Sequence, residues 1–168
     1  MIASKQSTWG ARNMIQLTDE LPVRAVKAKG WEWRPGMRIT HIGRPFVVVR
    51  VLQDEWLGDK VTMLEAINWL DLSRAELIVH GETFPDLDDD GTKGHILARV
   101  RQVWGSPYAH ARLSTTTRQS DGKMAWEMES LYFSEKAAKE MGVSPGSVRC
   151  WGFLTEEEAL IFALENCP

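Results

Sequence analysis

Residues 85–105 read PDLDDDGTKGHILARVRQVWG, an acidic turn that runs into an amphipathic segment closed by tryptophan and glycine. Ile96, Leu97, Val100, Val103 and Trp104 recur at i, i+1, i+4, i+7 and i+8, so the spacing predicts a helix over 92–104 with that stripe on a core. Asp89, Asp90 and Thr92 supply an N-cap and favourable negative charge at its start, and Gly105 followed by Pro107 stops it. Asp86, Asp88, Asp90 and Gly91 also occupy positions one, three, five and six of a calcium loop. Position twelve is Leu97, where such a loop needs a bidentate glutamate. Leu97 belongs to the apolar stripe, and capping accounts for the acids without a missing ligand. The stretch is therefore read as a helix start, with no metal and no other cofactor expected.

Outward from this helix the patterns turn mostly to strands. Upstream, residues 37–42 and 46–52 flank a turn at 41–45, and Val47, Val48, Val49 and Val51 favour extended backbone, which predicts a hairpin. Val61, Leu64, Ile67 and Leu70 fit helical spacing, although 61–67 also fits a strand. Residues 76–80 read as a short strand. Downstream, 109–117 and 123–133 surround Asp121-Gly122, a tight-turn signal for a second hairpin. There Trp126, Met128 and Tyr132 share one face while Glu127 and Glu129 share the other, as exposed alternating charge. Ser134 caps a short helix 135–141, and 148–153 reads as a strand. Thr155-Glu156-Glu157-Glu158 is a capping box ahead of Leu160, Ile161, Phe162 and Leu164. The order predicts an α+β fold, a mainly antiparallel sheet with about three helices packed on it. Residues 1–36 lack sustained periodicity and read as an N-terminal arm, leaving 37–168 as a single domain.

A chain of 168 residues with 43% hydrophobic content and eight tryptophans has enough apolar area to offset its ordering entropy without staples. No apolar run approaches the roughly 20 residues of a membrane-spanning helix, and the first residues lack the apolar core of a signal peptide. A cytoplasmic protein with no membrane partner is expected. Cys150 and Cys167, without a Cys-x-x-Cys or a histidine pair, speak against zinc, and reduced thiols are favoured over a disulfide. Residues 21–50 hold Arg24, Lys27, Lys29, Arg34, Arg38, Arg44 and Arg50 against the single acid Glu32. That local charge of +6 leaves −9 for the remainder of a chain whose net charge is −3, an asymmetry that points to an anionic partner for the N-terminal third.

GWEWRPGM at 30–37, PDL at 85–87, GHILARVRQVWG at 94–105 and TEEEALIFALE at 155–165 resemble a group of small bacteriophage- and prophage-encoded accessory proteins. In that group an acidic Pro-Asp-Leu turn leads into a Leu-rich helix with a tryptophan, and a similar helix ends the chain. The resemblance covers the last half of the chain and the Trp31–Trp33 segment. It implies a phage or prophage accessory gene, a class that includes inhibitors of host defence, acting inside the host cell. Its motifs are structural and carry no catalytic residue.

The segment 24–38 is the candidate site. Lys27, Lys29, Arg34 and Arg38 can neutralise phosphates while Trp31 or Trp33 stacks on a base, the combination used in single-strand and nucleotide binding. Two residues apart on an extended chain, both rings face one side, which equally suits closing a core. His41, His80, His95 and His110 are scattered, Ser114 to Thr117 form no nucleophile elbow, and no Walker loop or dinucleotide fingerprint occurs. The sequence thus predicts a non-catalytic protein that binds and inhibits or sequesters a host component. Its partner is an anionic nucleotide or nucleic acid, or a host protein with an acidic surface. A metal-assisted hydrolase using Asp86, Asp88 and Asp90 is one alternative. A virion or assembly component, oligomeric and with an exposed apolar patch, is another.

Overall fold

The computed structural model describes residues 21–56, 59–130 and 148–166. Their elements run α1 (Leu21–Lys27), β1 (Arg38–His41), β2 (Arg44–Trp56), β3 (Asp59–Asn68), β4 (Arg74–Ile78) and β5 (Thr83–Pro85). There follow α2 (Asp90–Val103), β6 (His110–Arg118), β7 (Met124–Ser130), β8 (Val148–Phe153) and α3 (Glu156–Glu165). The strands form two antiparallel sheets, ordered β4-β3-β2-β1-β5 and β6-β7-β8, so the chain is α+β with antiparallel pairing throughout the described residues.

Residues 61–67, compatible with either period, are strand. Val51↔Leu64 and Leu64↔Leu77 pair β3 on both sides, and Leu64, Ala66 and Asn68 are buried in alternation, a period of two that no helix can satisfy. After three successive hairpins, β5 returns to pair with β1 through His41↔Thr83 and Ile39↔Pro85. The β1–β2 hairpin closes on Ile42 and Gly43, with φ of 48° and 70°, a two-residue turn with both central residues left-handed. A β-branched side chain in that region costs about 1–2 kcal/mol. Leu72, in the β3–β4 turn, is the second non-glycine residue with positive φ among the described residues, at 60°.

The opening helix stands as its local chemistry dictates. Asp89 accepts a hydrogen bond from the Thr92 amide at 2.7 Å. At the far end the Gly105 amide donates to Gln102 and the Ser106 amide to Arg101, with Gly105 at φ 62°, a Schellman closure. In α3, Thr155 Oγ1 caps the Glu158 amide as expected, but the Glu158 carboxylate reaches one residue further back, to the Leu154 amide at 2.7 Å. Glu158, Ala159, Leu160, Ile161, Ala163 and Leu164 are all buried, because α3 packs on α1, α2 and the three-stranded sheet together.

Among the described residues two apolar clusters result. One joins α1, α2 and α3 to β7 through Ala25, Ile96, Val100, Trp104, Met128 and Leu164; the other lies in the five-stranded sheet around Met37, Ile39, Val48 and Leu64. Trp31 packs against both, and Trp33 is a member of the second. Residues 21–36, expected as an arm, are therefore built into the fold. The α1 helix supplies buried Ala25, and Arg24 grips Glu165 of α3 with two hydrogen bonds of 2.8 and 2.6 Å. Residues 1–20 lie outside the described residues, as do the expected helix 135–141 with its Ser134 cap, Tyr132 and Cys167.

One expectation on the second sheet is corrected. Glu127 is 1% exposed rather than solvated. Arg112, its cross-strand partner, brings Nε to 2.8 Å from the Glu127 carboxylate and 2.9 Å from that of Glu129. A neutralising guanidinium is what makes burial of that charge tolerable.

Candidate functional site

The chain from Gly30 to Arg38 lies along one polar face of α2. Thr92, His95, Arg99 and Gln102 follow one another at i, i+3, i+7 and i+10, so they line one side of the helix. Thr92 Oγ1 accepts from the Arg38 amide at 2.9 Å. A Cβ on Gly36 would come within 2.9 Å of His95 Nε2, and Gly36 also has φ of 92°, so that position suits glycine on both counts. Arg99 Nε donates to the Gly30 carbonyl at 2.9 Å. Gln102 Oε1 accepts from both Arg34 Nη2 and Arg99 Nη1, each at 2.9 Å.

Those contacts bring two arginines to one point. Arg34 Nη2 and Arg99 Nη1 converge on Glu32 Oε2 at 3.0 and 3.3 Å. The two arginine side chains are partly buried, while the Glu32 side chain is 47% exposed. The result is a donor fork held rigid from behind by Gly30 and Gln102, with an oxyanion at its open end, the arrangement that carboxylates and phosphates share. Lys27 and Lys29 are exposed and make no ion pair among the described residues; Lys29 adjoins Gly30, the residue Arg99 holds.

The other predicted site residues go elsewhere. Trp33 is buried in the five-stranded sheet. Trp31 is half-buried, meets Trp33 edge-on at 5.2 Å and 88°, and its buried Nε1 has no hydrogen-bond acceptor. Arg38 sits on β1 with Nε 3.2 Å from Asp89 and its guanidinium 5.3 Å over the ring of Trp69. Arg24 is paired with Glu165 and Arg50 with Glu65, so much of the local excess of positive charge is compensated in space by acids remote in sequence.

In the acidic turn, Asp86 accepts from the Asp88 amide, Asp89 caps α2, and Asp90 pairs with Lys93 at 3.0 Å. Among the described residues no three His, Cys, Asp or Glu side chains are grouped to hold a metal ion. Lys93 also reaches Glu157 at 3.3 Å and Glu156 at 3.8 Å, tying the starts of α2 and α3 together. The hydrogen bond to Asp90, joined by that to Glu157, raises its pKa to about 12 against an opposing effect of burial.

The His41 and His80 rings meet at 4.7 Å with a 58° tilt beside β5, and His41 Nδ1 shares a 2.8 Å hydrogen bond with Thr83 Oγ1. Burial, then the neighbouring His80, hold the His41 imidazole below its ordinary pKa, with Glu82 opposing. A broad depression of about 800 Å³ opens at the β6–β7 turn, bordered by Leu113, Arg118, Met124, Trp126 and Leu154, and includes none of the basic-loop residues. Among the described residues no helix is long and apolar enough to cross a membrane.

Neither Glu32 nor Lys27, Lys29 and Arg34 needs more than the local sequence to be suspected, but Arg99 and Gln102 do. Their only signal is the polar stripe they form with Thr92 and His95 beside the apolar face of α2. No protein-family model matches the chain, and no curated protein matches it.

Proposed function

We propose that this chain is a non-catalytic binding protein that takes an anionic, phosphate-bearing ligand at the Arg34–Arg99 fork, with Lys27 and Lys29 contributing longer-range attraction. The observation that carries the reading is the convergence of the guanidiniums of two partly buried arginine side chains on one carboxylate oxygen of the half-exposed Glu32 side chain. Glu32 acts as an internal stand-in that a phosphate oxygen replaces. Two guanidiniums held in place by Gly30 and Gln102 offer charge-assisted hydrogen bonds to an incoming oxyanion. The motif resemblance to phage accessory proteins supports sequestration of a host nucleotide or nucleic acid as the setting of that binding.

The experiment is a fluorescence-anisotropy titration with a labelled single-stranded oligothymidylate, competed with ATP, at two salt concentrations. The expected result is salt-sensitive binding that weakens at least about tenfold in Arg34→Ala/Arg99→Ala. Glu32→Gln, which removes the competing charge, tightens it. Absence of binding to both probes, or equal affinity in the double-alanine variant, overturns the reading.

A further inference from the structure

A second surface, at one end of the five-stranded sheet, includes none of the residues of the Arg34–Arg99 fork. The β1–β2 and β3–β4 turns lie at the same end of the sheet, because Phe46↔Asn68 sets the start of β2 level with the end of β3. On these two turns Ile42 is 60% exposed, Trp69 46%, Leu70 70% and Leu72 75%. Two of the four, Ile42 and Leu72, are also the residues whose left-handed backbone aims an aliphatic side chain outward against local preference. Large apolar groups clustered at adjacent tips mark a contact surface.

We infer that this end of the sheet joins two copies of the chain in a two-fold dimer. The argument is charge complementarity. In sheet order the rim runs from Arg74 on β4, through Asp71 and Arg44 at the two turns, to Glu82 beside β5, whose carbonyl accepts from the Ile42 amide. All four side chains are exposed, and Arg44 is close enough to help hold the Asp71 carboxyl below its usual range, after the Ser73 hydroxyl and amide. With Arg38, which lies over Trp69, already paired to Asp89, the rest of the rim balances two positive charges against two negative ones, with opposite signs at its two extremities. A two-fold axis through the middle reverses the row, which sets Arg74 of one copy against Glu82 of the other and closes the apolar tips between them. A self-complementary patch is the requirement of an isologous interface. A uniformly acidic partner would meet Asp71 and Glu82 with like charge.

Sedimentation velocity on the full chain over the micromolar range tests this. The expected particle has twice the 19.1 kDa mass of one chain. Leu70→Asp/Leu72→Asp gives a monomer with an unchanged circular-dichroism spectrum. Arg74→Glu alone and Glu82→Arg alone each weaken the dimer at least about tenfold, and the two together restore it. A wild-type monomer throughout, which leaves the patch to some other partner, overturns the inference. So does a dimer that persists in the double-aspartate variant, or a charge-swapped pair that fails to recover while remaining folded.

Discussion

Trp104 Nε1 donates to the carbonyl of Ala163 at 3.0 Å, so the end of α2 is hydrogen-bonded directly to the last turn of α3. Both residues are fully buried. Trp104→Phe removes the donor, leaves that carbonyl one acceptor contact short and opens a void, whereas Trp104→Ala removes the whole side chain. The alanine variant should lose about 3–5 kcal/mol in urea denaturation and the phenylalanine variant distinctly less.

His41 gives the fold a sensitivity to acid. Its folded pKa lies below the ordinary 6.5, so the unfolded chain binds the proton more readily than the folded one. Stability is therefore full above pH 6.5 and is lost as pH falls from 6.5 through the lowered folded value, below which the loss levels off. Denaturation midpoints measured across that window should decline, and His41→Gln should flatten the decline.

Lys93 works in the opposite direction. Its folded pKa of about 12 exceeds the ordinary 10.5, so its contribution is complete below pH 10.5 and disappears as pH rises through about 12. Lys93→Met should lower stability at neutral pH by about 1 kcal/mol and lose the alkaline dependence, read from melting temperatures in alkaline buffers.

Arg38 is predicted to be structural. Its guanidinium is shared between Asp89 and the ring of Trp69, on the outer side of β1, rather than with the Arg34–Arg99 fork. Arg38→Ala should cost about 1 kcal/mol of stability and leave anion affinity unchanged, both measurable on the same purified variant.

The helices α2 and α3 were legible in the sequence because their determinants are local: an Asp or Thr at the cap of each and, in α2, a stripe of period 3.6 and a glycine at the stop. Residues 61–67 were ambiguous because Val61, Leu64 and Ile67 fit helical spacing while the segment is also short and apolar enough for a strand, and only pairing with β2 and β4 decides. The same limit applies to Glu127, whose burial depends on Arg112 from a neighbouring strand. At the candidate site the basic residues could be read directly, but their pairing could not. Arg34 finds Gln102 68 positions away, and Arg38 leaves the group for a tryptophan on another turn.

The perpendicular indoles of Trp31 and Trp33 carry a practical consequence for dissecting the chain. One ring touches both apolar clusters and the next belongs to the sheet cluster, so the short segment holding them is a shared keystone. A fragment keeping only the five strands would expose Trp31 on the side that α2 and the other helices cover. A fragment keeping only the helices and β6–β8 would strip the same ring from its other side. Limited proteolysis should accordingly yield no stable half-molecule, and the smallest autonomous piece should extend from α1 through α3.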